Sequence, residues 1–170
     1  AFEELVRRFR NDVFGVAYHF LNNREEAWDV SQEVFIKAHR SLRRFRGDAS
    51  FKTWLLRITA NQCKDHLKKR RVRTVAYNDA LDTPSSDMNP AHEAAAREIG
   101  EAILEGMETL SMKHRTAFVL REFEGMSYEE MADAMECNVG TVMSRLHHAR
   151  KNLRTFLIRR GLMQDQELTS

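Results

Sequence analysis

The stretch MSYEEMADAMECNVGTVMSRLHHAR, residues 126–150, decides the fold. Ser127 followed three residues later by Glu130 is a capping box, so a helix opens at Tyr128. It runs to Met135 and carries Ala132 where close packing against a second helix wants a small side chain. Glu136-Cys137-Asn138 turns the chain, and a second helix starts near Val139-Gly140-Thr141 and continues past Arg150. A short helix, a three-residue turn and a longer basic helix are the helix-turn-helix layout. Met131, Val139, Val142 and Leu146 hold the two helices together, while Thr141, Met143, Ser144, Arg145, His147 and His148 lie outward or at the rim. In that motif the first residues of the second helix reach base edges, and cations along it neutralise phosphates. From Val139 to Arg160 there are six Lys/Arg and no acid, +6 in all.

The helical period extends outward from this core motif. Gly125 ends the preceding helix as a glycine just past a C-terminus does. Before it, Ile99, Ile103, Leu104, Met107 and Leu110 form one apolar stripe, and Phe118, Val119, Leu120 and Phe123 belong to the next. Near the N-terminus, Leu5, Phe9, Val13, Val16, Ala17 and Phe20 repeat the pattern, as do Ala27, Val30, Val34, Ala38 and Leu42. After a break at Arg46–Ser50, Phe51, Trp54, Leu55, Ile58, Cys63 and Leu67 begin another helix. Thr74–Pro90 loses the period and holds both prolines, which block helix continuation. The expectation is an all-α chain: a helical bundle over 1–73, a flexible acidic linker over 74–90, and a second small helical domain over 91–170.

Composition narrows the function. Seven Gly and two Pro in 170 residues are too few for a turn-rich β-sandwich or barrel. No apolar run approaches the roughly 20 residues of a membrane span, and no charged-then-apolar leader opens the chain, so neither membrane insertion nor secretion is expected. Cys63 and Cys137 lie far apart and read as packing residues rather than a disulfide. The net charge of +2 hides a pattern. Arg44–Arg73 holds ten Lys/Arg against two acids, Thr74–Glu101 one Arg against six acids, and the basic block at Val139–Arg160 follows. Two basic blocks around an acidic spacer suggest two contacts with one polyanion. In the first block Phe45, Phe51 and Trp54 interleave with Arg44, Arg46, Lys52 and Arg57, and Asn61 and Lys64 follow on the next turns. Rings to stack on bases and cations for the backbone suit single-stranded nucleic acid; the bland alternative is that the aromatics, Trp54 above all, are core.

Three segments, in this order, resemble the bacterial extracytoplasmic-function (ECF) sigma factors, closest to the envelope-stress subgroup. They are DVSQEVF at 29–35, FRGDASFKTWLLRITAN at 45–61, and EFEGMSYEEMA at 122–132 with VGTVMSR at 139–145. The resemblance implies that the first bundle is sigma region 2, which binds core RNA polymerase at the β′ clamp helices and melts the −10 element. It assigns Glu26, Asp29, Gln32, Glu33 and Lys37 to the polymerase, the loop Phe45–Phe51 to a pocket for a flipped base, and Arg57, Asn61 and Lys64 to the −10 strand. Region 4 would read the −35 element with Thr141, Ser144, Arg145, His147 and His148, take a phosphate on Arg121, and meet the polymerase β flap. An anti-sigma factor as regulatory partner and a cytoplasmic location are implied as well. Met143 and His148 stand where this subgroup often has Arg. Met cannot make a bidentate guanine contact, and a neutral His adds no charge at a phosphate, so a weak salt dependence is expected.

The alternative is a helix-turn-helix repressor, but no third domain supplies a ligand pocket or dimer interface, and the 29–33 face would be idle. An enzyme is disfavoured: there is no Gly-rich phosphate loop and no nucleophile constellation. Cys63 and His66 are three apart but have no partners in reach of a metal set, so neither metal nor cofactor is expected.

Overall fold

A computed structural model describes residues 1–76 and 91–165, and these are helical throughout apart from short connections. The elements are α1 (Phe2–Leu21), α2 (Arg24–Ser41) with a 3₁₀ turn at Leu42–Arg44, α3 (Phe51–Ala76), α4 (Ala91–Glu108), α5 (Met112–Phe118), α6 (Tyr128–Met135) and α7 (Val139–Arg159). The all-α expectation holds. α3 runs three residues into the stretch read as linker; the rest of that stretch, 77–90, lies outside the described residues.

Local chemistry fixes the ends. Asn22 closes α1 in the left-handed region (φ 52°), and Asn23 caps α2 by accepting the Glu26 backbone N–H at 3.0 Å. A two-residue link of this kind folds α2 back along α1. Gly47, at φ +78°, turns the break before α3, and the Ser50 hydroxyl accepts the Thr53 N–H at 3.1 Å. In the second half Ser111, Ser127 and Asn138 cap α5, α6 and α7, with the capping box at Ser127–Glu130 complete. Gly125 (φ +63°) and Glu136 (φ 54°) end the preceding segments in the left-handed region. Between α5 and Gly125 the chain widens into a π-helical turn, Val119–Phe123.

The apolar stripes meet in one continuous core. Val13, Val16 and Phe20 of α1, Val30 and Val34 of α2 and Leu55 and Leu56 of α3 pack with Met107, Leu120, Met131, Val142 and Leu146 of the second half. Burying each large side chain here is worth roughly 1.5–3 kcal/mol. Ile99, read as part of the stripe, is 46% exposed, and Ala102 takes the buried place on α4.

Two residues join these packages in ways no periodicity signals. Arg115 of α5 is buried, and its guanidinium donates to the carbonyls of Phe20 (3.0 Å) and Glu108 (2.8 Å), with its plane over the Phe20 ring. Gly106 lets α4 approach α7: a Cβ there would lie 2.5 Å from Leu153 Cδ1 and 2.8 Å from Phe156 Cδ1.

Arg115→Ala should lower unfolding free energy by about 2–4 kcal/mol in a urea titration, because two charge-assisted bonds go and two buried carbonyls lose their donor. Gly106→Ala, in spite of its better helix propensity, should cost about 1–3 kcal/mol through overpacking against Leu153 and Phe156; a stabilised variant would mean that α7 yields freely.

Candidate nucleic-acid interface

α3 sets out the first candidate surface. Its N-terminal turn and the preceding loop bring Phe45, Phe51 and Trp54 into one half-buried aromatic cluster, with ring centroids 5.3–5.7 Å apart, and Phe9 of α1 lies 5.5 Å from Phe51. Tilted and edge-on rings at these distances favour one another. The aromatics are thus partly core and partly accessible. Asn61 is exposed, and with Ile58 and Gln62 of α3 and Lys37, Arg40 and Ser41 of α2 it lines a shallow groove. Arg57 and Lys64 lie along the helix from it. Arg57 is ion-paired to Glu136 in the turn of the helix-turn-helix. Lys64 is half-buried, and burial first, then the charges of Arg145, Lys113 and Lys68, holds its amine below the usual range.

The five polar residues of α2 part company. Asp29, Gln32 and Lys37 are exposed. Glu26 instead turns to α3, ion-paired to Arg70 and 3.6 Å from His66, and Glu33 accepts from the Gln62 amide. What the pattern of charges missed is apolar: Trp28 is 58% and Ile36 51% exposed, and with Gln32 between them they fall at four-residue spacing along one side of α2.

The second candidate surface is α7. Ser144, His147 and His148 are exposed, and Thr141 and Arg145 half-buried. Arg145 Nη1 lies 3.9 Å from Cys137 Sγ. His148 stands 5.7 Å, ring to ring, from His114 of α5 and 5.6 Å from His147, so three histidines share this face with Lys113 and Arg145 near them. Burial, helped by His148 and Arg145, lowers the His114 pKa. Met143 is 52% exposed, an apolar tip among polar ones. Arg121 is placed differently from a solvent-facing cation: it donates to the Met126 carbonyl at 2.6 Å and lies over the Tyr128 ring, holding the entry to α6.

Between the two surfaces runs a seam of charge. Lys52 of α3 lies 3.8 Å from Asp12 of α1 and 3.6 Å from Glu124, just past the π-helical turn. Thr53 donates to Glu130 at 3.3 Å, Asn22 donates to Glu108 at 2.9 Å, and His19 stacks on Phe123 at 3.8 Å. Glu124 is 9% exposed; burial and then Asp12, opposed by Lys52, push its carboxyl up to about 7. Cys63 is also buried, and burial raises its thiol to about 12, which leaves it unreactive. No helix among the described residues is long and apolar enough to cross a membrane.

The sequence profile of sigma-70 region 2 matches residues 5–73 and that of sigma-70 region 4 matches residues 100–153. The chain is 42% identical over 160 residues to the RNA polymerase sigma-H factor of Pseudomonas aeruginosa, covering 89% of this chain and 83% of the relative. It is 36% identical over 160 residues to the ECF RNA polymerase sigma-E factor of Escherichia coli, with 89% and 83% covered. Among solved structures it is similar to CnrH in complex with the cytosolic domain of CnrY, at 26% identity and a TM-score of 0.70, covering 93% of this chain and 88% of that one. At 24% identity it shares its fold with the sigma factor RpoE of Bartonella quintana, solved with the anti-sigma factor NepR (TM-score 0.71, 92% of this chain and 96% of that one).

Glu124 makes the packing of the two halves sensitive to pH. A carboxyl whose folded pKa lies above its unfolded value takes up a proton on folding, so its contribution is full below about 4.5 and is lost as pH rises through about 7. His19, whose pKa burial lowers, works in the opposite sense, costing stability as pH falls below about 6.5. Comparison with Glu124→Gln isolates the carboxyl. The two proteins should melt together at pH 4, and wild type should fall progressively below the variant between about pH 4.5 and pH 8; parallel curves would show that Glu124 is solvated.

Proposed function

The chain belongs to the ECF sigma factors of bacterial RNA polymerase, and from that membership we propose how its surfaces divide the work of promoter-specific initiation. The carrying observation is that region 2 and region 4 occur on one chain in the family's order. A helix-turn-helix repressor would need only the second, and no observation favours that alternative.

The outward side of α2 takes the β′ clamp helices. Asp29 and Gln32 supply the polar contacts, and Trp28 and Ile36 the apolar ones; large aromatics at the centre of an interface commonly dominate its energy. Glu26, Glu33 and Lys37 border that side, the two glutamates acting through the α2–α3 seam they brace. The aromatic cluster of Phe45 and Phe51 receives a flipped −10 base, with Arg57, Asn61 and Lys64 along the displaced strand. Flipping costs a few kcal/mol, which stacking and hydrogen bonds to the base edge offset. Ser144, Arg145, His147 and His148, with Thr141 at the start of α7, meet the −35 element, and Arg121 shapes that surface from behind in addition to lying near a phosphate path. Region 4 also meets the β flap. The two solved relatives above were captured with a partner, in one case an anti-sigma factor by name, and the same kind of partner regulates this chain in the cytoplasm, where core polymerase works. Initiation needs no cofactor, metal or catalytic group from this chain.

In vitro transcription with core polymerase should depend on the protein. Asp29→Arg and Trp28→Ala should each weaken core binding about tenfold or more in a pull-down, near 1.4 kcal/mol or above, with unchanged melting temperature. Asn61→Ala should leave core binding intact and reduce permanganate reactivity of the −10 region. A chain that only blocks transcription would restore the repressor reading.

A further inference from the structure

Three imidazoles meet on the outer face of the helix-turn-helix. His147 and His148 of α7 are exposed, and their ring centroids lie 5.6 Å apart. His114, half-buried on α5, stacks towards His148 at 5.7 Å with the ring planes 28° apart. No spacing in the sequence signals His114, because it reaches this face only through the packing of α5 on α7.

The charges around the rings are mostly positive. Burial first, then His148 and Arg145, hold the His114 pKa below its usual range, and no carboxylate is among the charges that act on it. Lys113 adjoins His114 on α5, Lys151 lies one turn past His147 on α7, and Lys64 of α3 feels both Arg145 and Lys113. The acids of the neighbouring elements are engaged elsewhere. Glu122 of the π-helical turn pairs with Arg150, Glu136 of the α6–α7 turn with Arg57, and Asp65 of α3 acts on Lys64. Glu130 of α6 accepts from Ser127 and Thr53, while Glu129 and Asp133 of α6 are exposed. α4 meets α7 at Leu153 and Phe156, more than a turn beyond the histidines, and its Glu105 pairs with Arg160. In the free chain a proton added to the cluster therefore meets like charge. A row of phosphates supplies the opposite charge, and acceptors for the ring N–H groups. Arg145 and Lys113 would repel a metal ion, and among the described residues no group of three His, Cys, Asp or Glu is placed to hold one.

We propose that His114, His147 and His148 form a proton-linked phosphate contact, so that promoter DNA and protons bind the α7 surface together. The proposal rests on the reading of α7 as the −35 face and adds His114 and Lys113 of α5 to it. The sign follows from linkage. An imidazole that titrates at higher pH beside phosphate than in the free chain takes up a proton on binding. The gain in affinity is full below the free-state value and is lost as pH rises through the bound-state value. An ordinary imidazole titrates near 6.5, so binding tightens as pH falls from about 8 towards 6. Salt dependence steepens in step, by about 0.9 in the log–log slope for each phosphate a protonated ring neutralises.

The test uses the full chain and a fluorescein-labelled duplex of about 20 base pairs, two helical turns, read by anisotropy across that pH range and at two salt concentrations. Wild type should bind about tenfold tighter at pH 6 than at pH 8, the effect of about one proton taken up over part of the range. His147→Gln/His148→Gln, at two exposed positions the fold tolerates, should lose most of that rise, and adding His114→Gln should remove the rest of the cluster's share. His148→Arg should bind tighter at pH 8 and respond less to pH. The imidazole C–H resonances of the cluster, assigned with these variants, should titrate at higher pH with duplex than without it by NMR. A triple variant that keeps the wild-type pH dependence, or resonances that titrate alike with and without duplex, overturns the proposal. Ser144→Glu, on the same exposed face, tests the underlying reading. If it weakens binding while the triple variant keeps the wild-type pH dependence, α7 faces DNA and the histidine proposal alone falls. If it changes binding at neither pH, α7 is not the DNA face, and the proposal falls with that reading.

Discussion

One guanidinium, buried at a point where two helices end, holds the two halves of this molecule together. α1 stops at Leu21 and α4 at Glu108, and each leaves carbonyls pointing past its last turn with no donor of its own. Arg115 supplies both, bonding Phe20 of one half and Glu108 of the other, and its positive charge sits at the negative end of both helix dipoles. Without it, the α1–α2 corner and the α4–α5 corner would each bury an unsatisfied carbonyl, and the apolar contacts among Phe20, Met107 and Leu120 would have to form around that defect. The position of α5 follows from this contact, and with it the π-helical turn, the start of α6 and the angle at which the helix-turn-helix meets α3.

The seam so positioned is mixed in character, and that mixture has consequences. An apolar interface alone would be permanent at the scale of this core, where several large side chains are fully buried. Half-exposed ion pairs alone would be worth well under 1 kcal/mol each and would be screened at moderate salt. Here Lys52 and Arg57 pair with acids at the rim while Phe20, Leu55 and Met131 pack within. The rim sets which competing charges can gain entry, and the interior sets how much free energy a competitor must bring.

Much of this was legible in the sequence, and the division between what was and was not is physical. The helices, the capping box at Ser127–Glu130 and the turn at Gly125 depend on residues a few positions apart, so their spacing shows them, whereas the cap that Asn138 places on α7 is read only from the structure. So does the helix-turn-helix, whose Met131, Val142 and Leu146 are buried as the period requires. The aromatic cluster was visible as a group because Phe45, Phe51 and Trp54 share one segment. Contacts between distant positions left no such trace. Arg115 meets Phe20 across 95 residues, Thr53 meets Glu130 across 77, and Glu26 meets Arg70 across 44. For that reason Glu26 and Glu33 read as part of a uniform acidic face when they are half of a seam with α3. Trp28 lies outside the apolar stripe of α2, and only the fold shows it 58% exposed among the described residues.

The charge distribution that first suggested two contacts with one polyanion takes on a different meaning once the chain is folded. Burial first, and then the charges of Arg145 and Lys113 of the second half, hold the amine of Lys64 of the first basic block below its usual range. Two like-charged blocks pressed together would repel, by amounts that grow as salt is lowered. Glu130 and Glu136 of the seam come from the same half as Arg145 and face Thr53 and Arg57 on the half that carries Lys64, so they offset part of that repulsion. The closed arrangement thus tolerates two nucleic-acid-facing surfaces in one small protein because attraction at the seam is set against repulsion between the surfaces, and any change that strengthens α7 as a cationic helix must also loosen the closure.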